Sequence, residues 1–165
     1  MIDASKLTLQ LLRRFDVGRE EVRIGPAALR AMRRSRAAIE RRIREGVRTY
    51  GVNTGLGSLS DRAIAPDQME ELQLRLVLSN AAGTGPLMAD ADVRRMMLLK
   101  VGALATGWSG ARPALAEALA ALLNAGISPC VPSKGSVGAS GDLAPLAHMA
   151  AALIGVGDVR EDGRT

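Results

Sequence analysis

Aromatic and metal-binding side chains are both scarce in this chain of 165 residues. It has one Phe, one Trp, one Tyr, one His and one Cys, so its core must be aliphatic, and its many Ala, Leu and Met residues favour helices. One cysteine excludes an internal disulfide, which favours a reducing compartment. Without a thiol-protease signature around it, Cys130 is best interpreted as a small buried residue. One His and one Cys are too few for a zinc site, so no metal is expected.

Long apolar runs are also missing. The N-terminus lacks the basic start and the uninterrupted apolar stretch of a signal peptide. The longest uncharged stretch near the end, residues 143–157, is shorter than the roughly 20 residues that a membrane helix needs. These absences predict a cytoplasmic protein with no membrane partner.

The net charge of +5 comes mostly from arginine, which is concentrated between Arg30 and Arg48. Such a concentration fits either a nucleic-acid surface or a solvated helix face on which long Arg side chains cover apolar surface. No zinc spacing or RNA-binding motif accompanies the charge. We therefore favour the helix face and expect no nucleic-acid partner.

The periodicity of apolar residues predicts one all-α domain over residues 1–165. We expect an N-terminal arm (1–25), a helical body (26–157) and an exposed polar tail (158–165). Five helices are expected in the body, at about 26–45, 66–82, 90–107, 113–124 and 142–155. Pro129 and Pro132 predict a short extended crossing before the last helix. Two glycine-rich loops interrupt the helices: a lid-like loop at 50–58 and a Gly/Ser-rich loop at 133–142.

The second of these loops reads Gly135-Ser-Val-Gly-Ala-Ser-Gly-Asp142. A Gly-rich loop before a helix can hold phosphate, but here a carboxylate follows the last glycine where phosphate-binding loops place Lys and Ser or Thr. The longer string, which continues Leu-Ala-Pro-Leu-Ala-His148, closely resembles the signature of the histidine, phenylalanine and tyrosine ammonia-lyases. The resemblance extends, in the family's order, to Tyr50-Gly-Val-Asn-Thr-Gly, Leu76-Val-Leu-Ser-Asn80 and Gly107-Trp-Ser-Gly-Ala-Arg-Pro113. It implies part of a larger helical-bundle lyase fold.

The resemblance also implies that the backbone supplies the electrophile, 4-methylidene-imidazol-5-one, with no metal or diffusible cofactor. The amide nitrogen of Gly141 attacks the carbonyl carbon of Ala139. Loss of water from the ring and from Ser140 then leaves an exocyclic methylene, to which the substrate amine adds. Asp142 is expected to support this segment, either by orienting it or by capping the next helix.

Four further residues are assigned through the same resemblance. Tyr50 is expected to remove the β-proton of the substrate. Asn53 and Gly57 on its loop are assigned to substrate binding, with Asn53 alternatively holding the loop. Asn80 stands where histidine lyases usually have His, and we expect it to contact the substrate side chain. His148 is interpreted as a packed, hydrogen-bonded helix residue and not as a ligand or base.

The implied enzyme is a carbon–nitrogen lyase that eliminates ammonia from an aromatic amino acid, with L-histidine to urocanate, a step of histidine catabolism, as the first expectation. A tyrosine or phenylalanine ammonia-lyase, an aminomutase, and a non-catalytic fragment or subunit are the alternatives. Members of the family are several times longer and form tetramers with shared sites. The expected partners are therefore an amino-acid substrate and a missing C-terminal part, identical subunits or both, and the chain alone is expected to be inactive.

Overall fold

The computed structural model of the protein describes residues 2–17, 20–138, 141 and 143–161. Six α-helices lie in this part of the chain: α1 (Leu9–Val17), α2 (Pro26–Arg44), α3 (Met69–Asn80), α4 (Asp90–Ala105), α5 (Pro113–Asn124) and α6 (Leu143–Leu153). Short 3-10 turns cover Ala4–Lys6, Gly57–Leu59 and Pro66–Gln68. The predicted all-α class is confirmed and all five predicted helices are present, whereas α1 was not predicted.

The local sequence sets the ends of these helices. Pro26 and Pro113 occupy the first positions of α2 and α5, where a missing N–H group costs no hydrogen bond. Asp90 and Asp92 lie in the first turn of α4, and arginines lie in the last turn of α2. Both placements put charge where the helix dipole favours it.

Helices α4 and α5 pack together at the centre of the hydrophobic core. Their most deeply buried side chains are aliphatic: Val93, Met97, Leu98, Val101, Ala116 and Leu119. Burial of each large member stabilises the fold by roughly 1.5–3 kcal/mol. Of the three aromatic residues only Phe15 is buried, whereas Trp108 is 89% exposed and Tyr50 is 65% exposed. The core is therefore aliphatic, as the composition predicts.

Two-stranded sheets join segments that are distant in sequence. In the described residues, β1 (Ile2–Asp3) pairs in parallel with β2 (Val22–Arg23), β3 (Thr84–Leu87) pairs antiparallel with β5 (Pro132–Lys134), and β4 (Ile127–Pro129) pairs antiparallel with β6 (Val159–Glu161). The extended crossing predicted at Pro129 and Pro132 thus becomes β4 and β5. These strands fasten loops onto the helical body.

The first 25 residues, predicted as an arm, pack into the helical body. The side-chain amide of Asn124, at the end of α5, bonds the backbone of Val22 twice: it accepts from the N–H at 2.8 Å and donates to the carbonyl at 3.0 Å. Phe15 on α1 is buried beneath Arg94 of α4, whose guanidinium lies 5.2 Å from the ring centre. The arm therefore belongs to the same folded unit.

The tail predicted to be exposed and polar is partly ordered by β6. Val159 and Glu161 are exposed, as expected, but Arg160 is half-buried. Its guanidinium lies 2.6 Å from the Asp90 carboxylate and donates to the Met88 carbonyl at 2.9 Å. The prediction was wrong for Arg160 because a charged residue was assumed to face water. Residues 162–165 lie outside the described part of the chain.

The loop between α4 and α5 packs tightly against α2. A Cβ atom on Gly110 would lie 2.5 Å from Ile39 Cγ1, so only glycine allows this approach. The loop presents Trp108 on the surface. None of the helices in the described part of the chain combines the length and the apolar composition needed to span a membrane.

Candidate active site

The Gly/Ser-rich loop folds back onto the start of α6. The Leu143 N–H donates to the Val137 carbonyl at 3.3 Å, and the Ala144 N–H donates to the Ser136 carbonyl at 3.1 Å. These bonds satisfy two N–H groups that a helix start leaves without intrahelical partners. They also bring Ser136 and Val137 next to Leu143 and Ala144, the residues on either side of the predicted electrophile segment.

Two glycines of this loop have left-handed backbone conformations, Gly138 with φ +65° and Gly141 with φ +85°. A Cβ atom on Gly138 would collide with the Leu143 side chain, whereas one on Gly141 would meet nothing within 4 Å. Glycine adopts such conformations without steric cost, so both positions favour it. Ala139, Ser140 and Asp142 lie outside the described residues, and the roles assigned to them stay predictions.

His148 links α6 to the segment that follows α3. Its Nε2 atom accepts a hydrogen bond from the Gly83 N–H at 3.1 Å. In a neutral imidazole with Nε2 as acceptor, the proton is on Nδ1. The interpretation of His148 as a packed, hydrogen-bonded helix residue is confirmed. Its partner, Gly83, lies three residues after the end of α3.

Asn80 is the last residue of α3 and is half-buried. Its Nδ2 group donates to the Leu76 carbonyl at 2.9 Å, which fixes the orientation of the amide. No donor from the described residues bonds its Oδ1 atom. Helix α3 packs against α6, and Gly83, three residues after Asn80, bonds His148 of α6.

Asn53 holds the first glycine-rich loop in shape. Its Oδ1 atom accepts from the Thr49 N–H at 2.7 Å, and its Nδ2 group donates to the Val47 carbonyl at 3.1 Å. Its backbone carbonyl accepts from the Ile64 N–H at 3.0 Å. Of the two roles left open for Asn53, holding the loop is the one that its contacts show.

Tyr50 lies at the surface of the same loop. Its hydroxyl oxygen accepts a long hydrogen bond of 3.4 Å from the N–H of Gly57, which has φ +58°. The contact is within the loop, and it gives Gly57 a role in positioning the Tyr50 phenol. Within the described part of the chain, the hydrogen bonds of residues 49–57 have partners between residues 42 and 64. The fold thus brings Asn80 towards α6 but keeps Tyr50 on a separate loop.

Neither a metal centre nor a cysteine nucleophile is indicated. Among the described residues, no group of three or more His, Cys, Asp or Glu side chains could hold a metal ion. Cys130 is buried, as predicted, and burial raises the pKa of its thiol. A raised pKa disfavours the reactive thiolate.

The chain is similar in sequence and in structure to several known proteins. The family model for aromatic amino acid lyase matches residues 7–165. The chain is 49% identical to a histidine ammonia-lyase from Vibrio cholerae. The alignment extends over 164 residues and covers 99% of this chain and 32% of that protein. A tyrosine aminomutase from Streptomyces globisporus superposes with a TM-score of 0.89 at 38% identity, covering 98% of this chain and 30% of that one. A histidine ammonia-lyase from Trypanosoma cruzi superposes with a TM-score of 0.87 at 32% identity, and the superposition covers 99% of this chain and 31% of that one.

The chain spans about a third of the length of the curated relatives it matches. Within that third, the helical fold agrees with the solved structures, and the family match includes the Tyr50 loop, Asn80 and the Gly/Ser-rich loop. Because the match extends over nearly all of its residues, this chain belongs to the aromatic amino acid lyase family.

Proposed function

We propose that this chain is the N-terminal part of an ammonia-lyase that converts L-histidine to urocanate and ammonia. The observation that carries the proposal is the closed loop before α6, in which two left-handed glycines flank Ala139-Ser140. The similarity to histidine ammonia-lyases supports the choice of reaction. The single buried cysteine fits a cytoplasmic location.

The residues of this loop fit a backbone-derived 4-methylidene-imidazol-5-one. Ring closure requires the Gly141 nitrogen to approach the Ala139 carbonyl, and Gly141 has both the permissive backbone and open space around its Cα atom. The bonds from Leu143 and Ala144 to Val137 and Ser136 bring the residues on either side of this segment together. Once formed, the group would supply the carbon electrophile that ordinary side chains lack.

Tyr50 would accept the β-proton of the substrate in this proposal. The phenol is exposed and positioned by Gly57, on a loop whose shape is maintained by Asn53. A loop that holds its own shape can close over a substrate and exclude water without refolding. The same closure would place Asn53 and Gly57 beside the substrate, in agreement with their predicted role in substrate binding.

Asn80 would contact the substrate ring. Its Nδ2 group is engaged by Leu76, which leaves the Oδ1 atom as the acceptor for a polar ring. The N–H of an imidazole and the O–H of a phenol both match such an acceptor. Histidine and tyrosine are thus the substrates that this position favours over phenylalanine.

An aminomutase is the second candidate function. The tyrosine aminomutase from Streptomyces globisporus is 38% identical to this chain, compared with 32% for the histidine ammonia-lyase from Trypanosoma cruzi. An aminomutase would re-add ammonia at the β-carbon, so a β-amino acid among the products distinguishes it from a lyase. For either function, we propose that a C-terminal part of the polypeptide and identical subunits, arranged as a tetramer, complete the active site.

The proposal can be tested in a chimera in which this chain replaces the matching third of the Vibrio cholerae relative. We expect the chimera to be lighter than its sequence by two water molecules, with the loss mapped to residues 139–141, and to release urocanate from histidine. The matched control is Ser140→Ala, which should keep its full mass and form no product. A chimera that folds and assembles but retains both waters at residues 139–141 would contradict the proposal and would favour a non-catalytic subunit.

A further inference from the structure

Three segments meet at a junction between α3 and α6. Gly83 leads from α3 into β3, Pro132 begins β5, and His148 projects from α6. A Cβ atom on Gly83 would lie 2.9 Å from His148 Nε2 and 3.1 Å from Pro132 Cβ. Contacts that short force a neighbour to move, so this junction has no room for any residue larger than glycine at position 83.

The same junction extends to the Gly/Ser-rich loop. A Cβ atom on Gly135 would lie 2.6 Å from Ala144 Cβ and 3.7 Å from Gly83 Cα. Ala144 is buried in the first turn of α6, where its N–H bonds the Ser136 carbonyl. The backbone at Gly83 therefore lies beside Gly135, which in turn packs against Ala144 in the first turn of α6.

The hydrogen bond from Gly83 to His148 is the directional contact at this junction. It spans 65 positions of sequence, and it joins a backbone N–H at the end of α3 to a side chain on α6. An N–H group with no partner in a half-buried junction is costly, so the bond holds Gly83 at a defined height along α6. Because Asn80 is only three residues before Gly83, its position relative to α6 is held as well.

We infer that His148 is a positioning residue for substrate discrimination: through Gly83 it fixes the position of Asn80, the proposed contact to the substrate ring, relative to α6. This inference rests on the function proposed above. His148 touches neither substrate nor the electrophile in this role. It acts by holding the Asn80 end of α3 against α6.

The test compares His148→Leu, which removes the acceptor, with His148→Gln, whose side-chain oxygen can accept from the Gly83 N–H at a similar reach. Both are made in the Vibrio cholerae chimera and assayed with histidine and tyrosine. We expect His148→Leu to change the ratio of kcat/KM for the two amino acids by about threefold to tenfold, which is the range for one hydrogen bond. His148→Gln should bring the ratio back toward that of the parent chimera.

Asn124→Ala is the matched control for general destabilisation. It removes two hydrogen bonds at the end of another helix, α5, and lies outside the proposed site. A loss of folded enzyme lowers the activity toward every amino acid equally, so the control should leave the ratio unchanged. Hydrogen exchange at the Gly83 amide supplies a readout besides activity, and it should accelerate in His148→Leu but not in Asn124→Ala.

The outcomes separate the two proposals. The parent chimera could fold and yet neither lose water nor act on any amino acid. That result would contradict the proposed function and, with it, the role of His148 in substrate discrimination. An active parent whose substrate ratio is the same in His148→Leu overturns the inference alone. A ratio that changes equally in His148→Leu and Asn124→Ala also overturns it, because the effect would then be general.

Discussion

Two glycine-rich loops carry the predicted catalytic groups of this chain, and they are anchored in different ways. The loop before α6 is closed by backbone hydrogen bonds to Leu143 and Ala144, and it packs against Gly83 through Gly135. The loop that carries Tyr50 is held by the Asn53 side chain together with backbone bonds to Arg62 and Ile64, and Tyr50 itself is exposed. The difference suits two tasks: ring closure needs a fixed backbone, whereas a proton acceptor must arrive after the substrate. This contrast between the two loops can be tested by substitutions in the Vibrio cholerae chimera.

The largest effect is expected from Tyr50→Phe. Removal of the hydroxyl eliminates the proposed proton acceptor, and general-base contributions are typically worth about 100-fold to 10,000-fold in rate. We expect kcat for histidine to fall by that amount, as measured by urocanate formation. The loss of two waters at residues 139–141 should be unaffected, because the two loops are anchored separately. If the Tyr50→Phe chimera failed to lose the two water molecules at residues 139–141, the two loops would not be independent.

Gly138→Ala should disrupt the fixed loop. The new Cβ atom would collide with Leu143, and the residue would have to keep φ near +65°. Strain of this kind costs about 1–3 kcal/mol in the native loop. We expect a lower melting temperature and slow or incomplete dehydration, followed by intact mass over time after purification. Full dehydration at the parent rate would show that the loop tolerates a rearranged backbone.

Asn53→Ala should loosen the exposed loop and leave the fixed loop intact. It removes the bonds to Thr49 and Val47, each worth about 0.5–1.5 kcal/mol. We expect KM for histidine to rise severalfold and the Thr49 and Ile64 amides to exchange faster. Dehydration should remain complete in the intact mass. Incomplete dehydration would mean that the two loops depend on one another.

The smallest effect is expected from Gly57→Ala. Gly57 also has positive φ, at +58°, but a Cβ atom there would meet nothing within 4 Å. The cost should be limited to the backbone conformation, about 1–2 kcal/mol for one residue. The drop in melting temperature should therefore be smaller than in Gly138→Ala. Equal drops in the two variants would show that the collision with Leu143 is relieved easily.

Much of the helical fold can be predicted from the sequence because local signals set the helix ends. Pro26 and Pro113 mark two starts, and the glycines after α4 and α5 mark two ends. Helix α1 was missed because it is only nine residues long, too short for its apolar residues to establish a helical period. The strands are two to four residues long, too short for an alternating pattern, and their pairing depends on how the helices pack.

The candidate site was predictable in its chemistry and less so in its geometry. The string from Gly135 to His148 indicates the electrophile segment, since the resemblance depends on adjacent residues. The bond between Gly83 and His148 could not be predicted, because the two residues come together only when β3, β5 and α6 pack. The sequence could not decide either whether Asn53 binds substrate or holds the loop, because its hydrogen-bond partners depend on the turn that the loop adopts.

The surface position of Trp108 gives the protein a built-in optical probe. It is the only tryptophan in the sequence, and 89% of it is exposed on the loop before α5. Its fluorescence therefore reports one place on the molecule, and in the isolated chain it should emit like an indole in water. Any added polypeptide or neighbouring subunit that covers this loop should shift the emission to shorter wavelength. Assembly could thus be followed by titration, with no label and no substrate.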